Sequence, residues 1–478
     1  MPGFTTRPEI RGTFGAVAST HWLASAVGMS ILEKGGNAFD AAAAAGFTLQ
    51  VVEPHLCGPL GEAPILVWSE VARRCEMICG QGVAPAAATI GRFRSLGLDL
   101  IPGTGLLAAA VPAAFGAWMR LVRDWGTMPL AEILAPAIAY AEDGYPVVER
   151  ISETIAVMSE MFRREWPSSA AIYLPYDRPP QPGRLFRNAA LAATYRRVLG
   201  EAGSGARDSQ IEGARAAWYE GFVAEAIDRF CRHEKVLDAS GRRHGGLLTG
   251  DDLARWRVPA ETPLAFDYRG WTVFKGGPWS QGPVLLQTLA LLQGFEIGDL
   301  DPLGPDFVHI VTECLKLALA DREAWYGDPH FVDVPIKTLL SPAYNDVRRR
   351  LVGESASLEL CPGSPDGRQP RVLVGGRDAA LGAAGIGEPT TAGIGEPTVD
   401  RHGLVAGDTC HLDVIDRWGN MVSATPSGGW LQSSPVIPEL GFCLGTRMQM
   451  FWLEEGLAAS LAPGKRPRST LSPSMAFR

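Results

Sequence analysis

The sequence has no extended Lys/Arg-rich run, no apolar run long enough to span a bilayer, and no CxxC or HExxH spacing. The first absence argues against a nucleic-acid partner. The second leaves no candidate transmembrane helix, so no membrane partner is expected. The third leaves zinc without a ligand set, and no metal or other cofactor is expected. The N-terminus, Met1-Pro2-Gly3-Phe4-Thr5-Thr6-Arg7, lacks the basic-then-apolar layout of a signal peptide, which points to a cytoplasmic location. The cysteines, at positions 57, 75, 79, 231, 314, 361, 410 and 443, are scattered and read as reduced core thiols. What is present is bulk. The chain has 478 residues, 46% of them hydrophobic, and a formal net charge of -8. That is enough for a large core, arranged as two to four units or as one large sandwich.

Residues 16–50 read as a strand followed by a helix carrying Leu23, Val27, Ile31 and Leu32, stopped by Gly35-Gly36-Asn37. Asp40 is expected to cap an Ala-rich, buried helix from Ala41 to Val52. A strand is expected at Pro64–Ser69, helices at Ala113–Asp124 and Pro129–Asp143, and a mainly helical middle as far as Gly250. Strands return at Leu264–Lys275, and helices follow at Pro283–Leu292 and Pro305–Trp325. Residues 353–407 are rich in Gly, Pro, Ala and Ser, and contain the repeat Gly-Ile-Gly-Glu-Pro-Thr at 385–390 and 393–398. The stretch reads as a plain linker or as a loop that swings away after cleavage. Strands are then expected at Thr409–Ile415, Met421–Thr425 and Phe442–Leu444. The first two form a hairpin about Trp418-Gly419-Asn420, and the chain stops inside a further strand at Met475–Arg478.

Thr409 opens that hairpin. A Thr there is an ordinary strand residue, unless the chain is cut just before it. The cut would place a free α-amino group beside the hydroxyl, so that one residue supplies both nucleophile and base. His411, two residues on, is read as structural.

The order of motifs resembles the gamma-glutamyltransferase family of N-terminal nucleophile hydrolases over nearly the whole chain. The motifs include Gly35-Gly36-Asn37-Ala38-Phe39-Asp40, Val52-Glu53-Pro54-His55, Gly144-Tyr145-Pro146-Val147 and Gly327-Asp328-Pro329. They end with Gly464-Lys465-Arg466-Pro467-Arg468-Ser469-Thr470. The resemblance implies an α+β fold, a four-layer αββα sandwich with a helical region in its larger part. It implies a precursor that cuts itself between Asp408 and Thr409 into large and small chains. Residues 1–408 would be the large-chain region, with 353–408 a flexible linker, and 409–478 the start of the small-chain region. Thr409 would then form an acyl-enzyme with an amide substrate. Ser427 falls where the family places a second hydroxyl beside the nucleophile, and Ser469 and Thr470 match its paired hydroxyls near the substrate carboxylate.

Departures from the family pattern bear on the substrate. The Arg that holds the glutamyl carboxylate is replaced by Gln81. The Asn and Asp that hold the α-ammonium read as Gly429 and Met450. An ammonium without its carboxylate partner is poorly compensated. Arg447 is a candidate receiver for a small substrate's carboxylate, the alternative being a surface Arg. The segments Pro278–Pro283 and Ser427–Gln432 look like those of the branch containing oxamate amidohydrolase. The glycine-rich turn reads Gly58-Pro59-Leu60-Gly61-Glu62-Ala63-Pro64, where Pro and Glu are expected to alter a packed turn. The family's oxyanion-hole Gly-Gly pair lies beyond Ser472-Pro473, past this chain's end, so the small-chain region is expected to be incomplete. The reading is a self-cleaving amidohydrolase of a small carboxylated, oxamate-like amide. The alternatives are a γ-glutamyl hydrolase or transpeptidase acting on glutathione-type substrates, and a truncated, unprocessed, non-catalytic remnant. A homodimer is a possible assembly.

Overall fold

A computed structural model describes residues 11–373 and 409–478. Asp408, the Gly-Ile-Gly-Glu-Pro-Thr repeat and the rest of 374–408 lie outside the described residues. Two sheets form the centre. The strands, in chain order, are β1 (Gly15–Ser19), β2 (Ile65–Ser69), β3 (Arg74–Ile78), β4 (Ala260–Glu261), β5 (Leu264–Tyr268), β6 (Trp271–Lys275), β7 (Leu412–Asp416), β8 (Met421–Ala424) and β9 (Met475–Phe477). The larger sheet runs β1-β7-β8-β2-β3-β4 and the smaller β9-β6-β5, with every pairing antiparallel.

The sheets pack face to face. Leu66, Trp68, Cys75, Met77 and Met421 from the larger sheet meet Phe274, Met475 and Phe477 from the smaller. The Trp68 and Phe477 rings lie 4.4 Å apart. Helices cover both outer faces: α1 (Trp22–Glu33) and α2 (Ala38–Val52) on the larger sheet, and α3 (Gly282–Leu292) on the smaller, with α4 (Pro305–Trp325) packed against α3. This is the expected αββα sandwich. The expected helical middle is present as well, from Ala114–Trp125 through Phe222–His233.

Local rules explain the elements nearest the site. Every residue of α2 is buried, which its run of Ala permits because small side chains let helix and sheet approach closely. Its N-cap is Asn37 rather than Asp40. Asn37 Oδ1 accepts from the backbone N–H groups of Phe39 and Asp40, and Asp40 returns a bond to Asn37 N, a capping box. The β7–β8 hairpin forms as expected, and its register sets Val414 opposite Val422. Its turn is held by Asp416, whose carboxylate accepts from Trp418 N, Asn420 N and Asn420 Nδ2. The same carboxylate accepts from Ala38 N at the start of α2, so hairpin and helix share one anchor.

Phe442–Cys443 is a strand but pairs with Val436–Ile437 in a separate ladder. Residues 353–373 are irregular yet anchored: Gly363 N donates to Asp321 at 2.6 Å and Gly363 O accepts from Trp325 Nε1 at 3.1 Å, both on α4. Among the described residues no helix is long and apolar enough to cross a membrane, and no His, Cys, Asp and Glu cluster could hold a metal ion.

Candidate active site

The larger sheet delivers Thr409 to a crowded, buried corner. Ahead of β7, Thr409 bridges Ser427 in antiparallel fashion and Cys410 N donates to Pro426 O at 3.0 Å. Ser427 lies in the loop after β8. Its backbone N–H and C=O pair with the C=O and N–H of Glu62, both at 2.9 Å, which stitches this loop to the glycine-rich turn. The Thr409 and Ser427 hydroxyl oxygens are 3.5 Å apart.

The altered turn is packed rather than disturbed. Glycine remains where the backbone is closest: a Cβ on Gly61 would lie 2.1 Å from Ser427 O. Gly61 O accepts from Ala113 N and Ala114 N at 2.9 and 3.0 Å, so the turn also seats the start of the Ala114–Trp125 helix. Glu62 has a definite partner. Its carboxylate forms an ion pair with Arg447, and both side chains are 5% exposed. Gly428, at φ +73°, leaves room for that carboxylate: a Cβ there would sit 2.6 Å from it.

Arg447 is therefore buried and paired with Glu62 rather than a surface Arg. It begins a short turn, Arg447–Met450, with its guanidinium 5.6 Å from the centre of the Trp430 ring. Its Nη2 donates to Ser427 Oγ at 3.2 Å. Gly429, at φ +67°, packs against Gly58 and Gly61 and offers no side chain, and Met450 is buried.

The other expected site residues are set by the neighbouring backbone. Gln81 follows Gly80, whose C=O accepts from Ala63 N at 2.9 Å, beside Glu62. Gln81 is fully buried, its Nε2 donates to Gly82 O at 3.3 Å, and its Oε1 has no hydrogen-bond partner among the described residues. The same loop continues to Ala84, which exchanges bonds with Gly464 and Lys465 on the segment that carries Ser469 and Thr470. Ser469 is buried, with its N–H on Trp279 O at 2.9 Å and its Oγ accepting from Leu471 N at 3.2 Å, whereas Thr470 is exposed. His411 binds Thr425 Oγ1 through Nδ1 and Asp413 through Nε2, both at 3.0 Å, which fits a structural role.

Two acidic residues escaped the sequence reading. Glu62 was read only as an intrusion. The signal was available: it is the one charged residue between Cys57 and Ser69, and Arg447 is the one charged residue between Gly441 and Leu453. Isolated opposite charges in apolar stretches tend to pair. Glu53 lies behind the segment that opens β7. Its Oε2 accepts from Thr20 Oγ1 at 2.6 Å and from the Cys410 thiol at 3.0 Å, and burial pushes its pKa up.

A two-sheet sandwich with a Thr at the head of a central strand now has a family. The gamma-glutamyltranspeptidase family model matches residues 24–478. The chain belongs to that family. It is an enzyme with the N-terminal nucleophile hydrolase fold. Acylase ACY 1 proenzyme of Pseudomonas sp. (strain SE83) is 32% identical over 98% of this chain and 75% of its own length. Glutathione hydrolase proenzyme of Bacillus subtilis (strain 168) is 28% identical over 98% of this chain and 73% of its own. Oxamate amidohydrolase proenzyme of Klebsiella pneumoniae is 29% identical over 97% and 76%. A solved structure named LmbA2991HD superposes with a TM-score of 0.89 at 54% identity, covering 100% of this chain and 78% of that one. The chain thus spans about three quarters of these relatives' length.

Proposed function

We propose that this chain cuts itself between Asp408 and Thr409, and that Thr409 then serves as the N-terminal nucleophile of an amidohydrolase. Its substrate on this reading is a small acyl amide that bears a carboxylate and no α-ammonium, as oxamate does. The observation that carries the reading is the placement of Thr409 Oγ1 at the mouth of a central strand, 3.5 Å from a Ser427 hydroxyl that Arg447 holds.

In self-cleavage, Thr409 Oγ adds to the Asp408 carbonyl carbon and the Asp408–Thr409 C–N bond breaks. The acyl group moves to oxygen and the nitrogen takes the hydroxyl proton. Water then hydrolyses the ester, leaving a carboxylate on Asp408 and restoring the Thr409 hydroxyl beside a free amine. In turnover that amine accepts the Oγ proton as Oγ bonds to the substrate carbonyl carbon. It returns the proton to the departing nitrogen, and water releases the acid.

Substrate choice follows from charge. No carboxylate is offered by Gly429 or Met450, and Glu62 is already neutralised by Arg447. An ammonium buried there would lack a counter-charge. Arg447 in turn is neutralised by Glu62, so the carboxylate is assigned to the neutral donors Gln81, Ser469 and Thr470. The relative named glutathione hydrolase favours a second reading, a γ-glutamyl hydrolase or transpeptidase, which the uncharged Gly429 and Met450 positions oppose.

The test is intact-mass analysis of purified full-length protein during incubation. We expect two fragments that separate at Asp408–Thr409, and none from Thr409→Ala. Chain that stays whole indefinitely would instead identify a non-catalytic remnant. With cleaved enzyme, oxamate is expected to turn over at least about tenfold faster than a γ-glutamyl anilide, a margin of ~1.4 kcal/mol in transition-state binding. The reverse order would transfer the assignment to the γ-glutamyl reading.

A further inference from the structure

Glu62 has no role in the reaction outlined above, yet it touches Ser427 along two routes. Its backbone exchanges both hydrogen bonds with Ser427, at 2.9 Å each. Its carboxylate fixes the guanidinium of Arg447, which donates to Ser427 Oγ at 3.2 Å. A closed ring results: Glu62 main chain, Ser427, Arg447, Glu62 side chain. The Trp430 face beneath the guanidinium completes its seat, and Trp430 is itself fixed by an Nε1 bond to Leu56 O at 2.6 Å.

The ring holds a donor against Ser427 Oγ. A guanidinium can only donate, so Ser427 Oγ is the acceptor at that contact. Ser427 keeps its own proton for another acceptor, and Thr409 Oγ1, at 3.5 Å, is a hydroxyl oxygen that it faces. We propose that Glu62 is a positioning residue, which acts through Arg447 to aim the Ser427 O–H at Thr409 Oγ1. A donor held there favours the charge that builds on Oγ as its proton leaves, and again when Oγ departs from the acyl-enzyme. The pairing of Glu62 with Arg447 also explains why the glycine turn carries an acidic residue at all. This inference rests on the assignment of Thr409 as the nucleophile.

The test uses self-cleavage of the full chain, which needs no added substrate, followed by pulse–chase after cell-free synthesis. Wild type that never cleaves would remove the nucleophile assignment itself. Given wild-type cleavage, Glu62→Gln is expected to slow it at least about tenfold. Glu62→Asp, which keeps the carboxylate, is expected to recover part of that loss. The decisive readout is coupling. In a Ser427→Ala background, Glu62→Gln should slow cleavage no further, because the group it aims is gone. An equal slowing in both backgrounds would overturn the proposal, as would cleavage of Glu62→Gln at the wild-type rate. Leaving Arg447 buried beside a neutral partner risks misfolding. The double variant Glu62→Gln, Arg447→Gln buries no ion and therefore serves as the second probe. It is expected to be slow with a near-native melting temperature, and its cleavage at the wild-type rate would equally defeat the inference.

Discussion

Thr409 is surrounded by residues whose identities are fixed by contact distance. Gly61 is the clearest. A methyl group there would press on the Ser427 carbonyl, a backbone atom that cannot step aside without breaking the bridge to Glu62. Gly61→Ala is expected to cost ~1–3 kcal/mol, read as a lower midpoint in denaturant melts, and to slow self-cleavage with it. Ala at Val71, a 94% exposed position, is the control and should leave both unchanged. At this scale the sequence was half legible. Thr409, Ser427 and Gly429 could be located because motif order marks them. The partner of Arg447 could not, because nearly four hundred residues separate it from Glu62 and only the fold joins them.

Helices and strands announced themselves where burial gives a clean period. The 21-residue helix α4 was read to its last residue, and the β7–β8 hairpin was read with its turn. Strand β3 was missed because its outward side chains, Arg74 and Glu76, are charged and pair with each other at 2.7 Å, which hides a strand behind a polar pattern. The cap of α1 was missed as well. His21 Nδ1 accepts from Leu23 N at 3.2 Å, a bond that only a neutral imidazole can make, and burial pushes its pKa down to about 4. The unfolded chain, titrating near 6.5, then binds the proton first. Stability from this group is fully present above about pH 6.5 and is lost as pH falls through the folded value. We expect on the order of 2 kcal/mol to disappear between pH 7 and pH 4, seen in urea melts at stepped pH. His55, pushed down to about 3 by burial, adds a loss of the same sign. His21→Asn keeps an acceptor without a titrating group and should flatten the His21 share of the slope. An unchanged slope in that variant would mean that the cap does not titrate.

Across the whole molecule, the two regions on either side of Thr409 are one object. Strands β7 and β8, from the later region, sit between β1 and β2, from the earlier one, and Met475 and Phe477 of β9 pack in the core between the sheets. Removing residues 409–478 would open both sheets and expose that core. After cleavage the two fragments should therefore co-elute in native gel filtration and separate only in denaturant. Fragments that part under native conditions would contradict this interlocking. The same strand order gives the proposed cleavage a second meaning. Thr409 meets Ser427, and Ser427 meets Glu62, only once β7 and β8 have inserted beside β1 and β2. A chain that fails to assemble would keep its peptide bond, so each new N-terminal threonine would record one correctly built sheet. The cut would act as a molecular proof-mark, with the fold licensing its own activation.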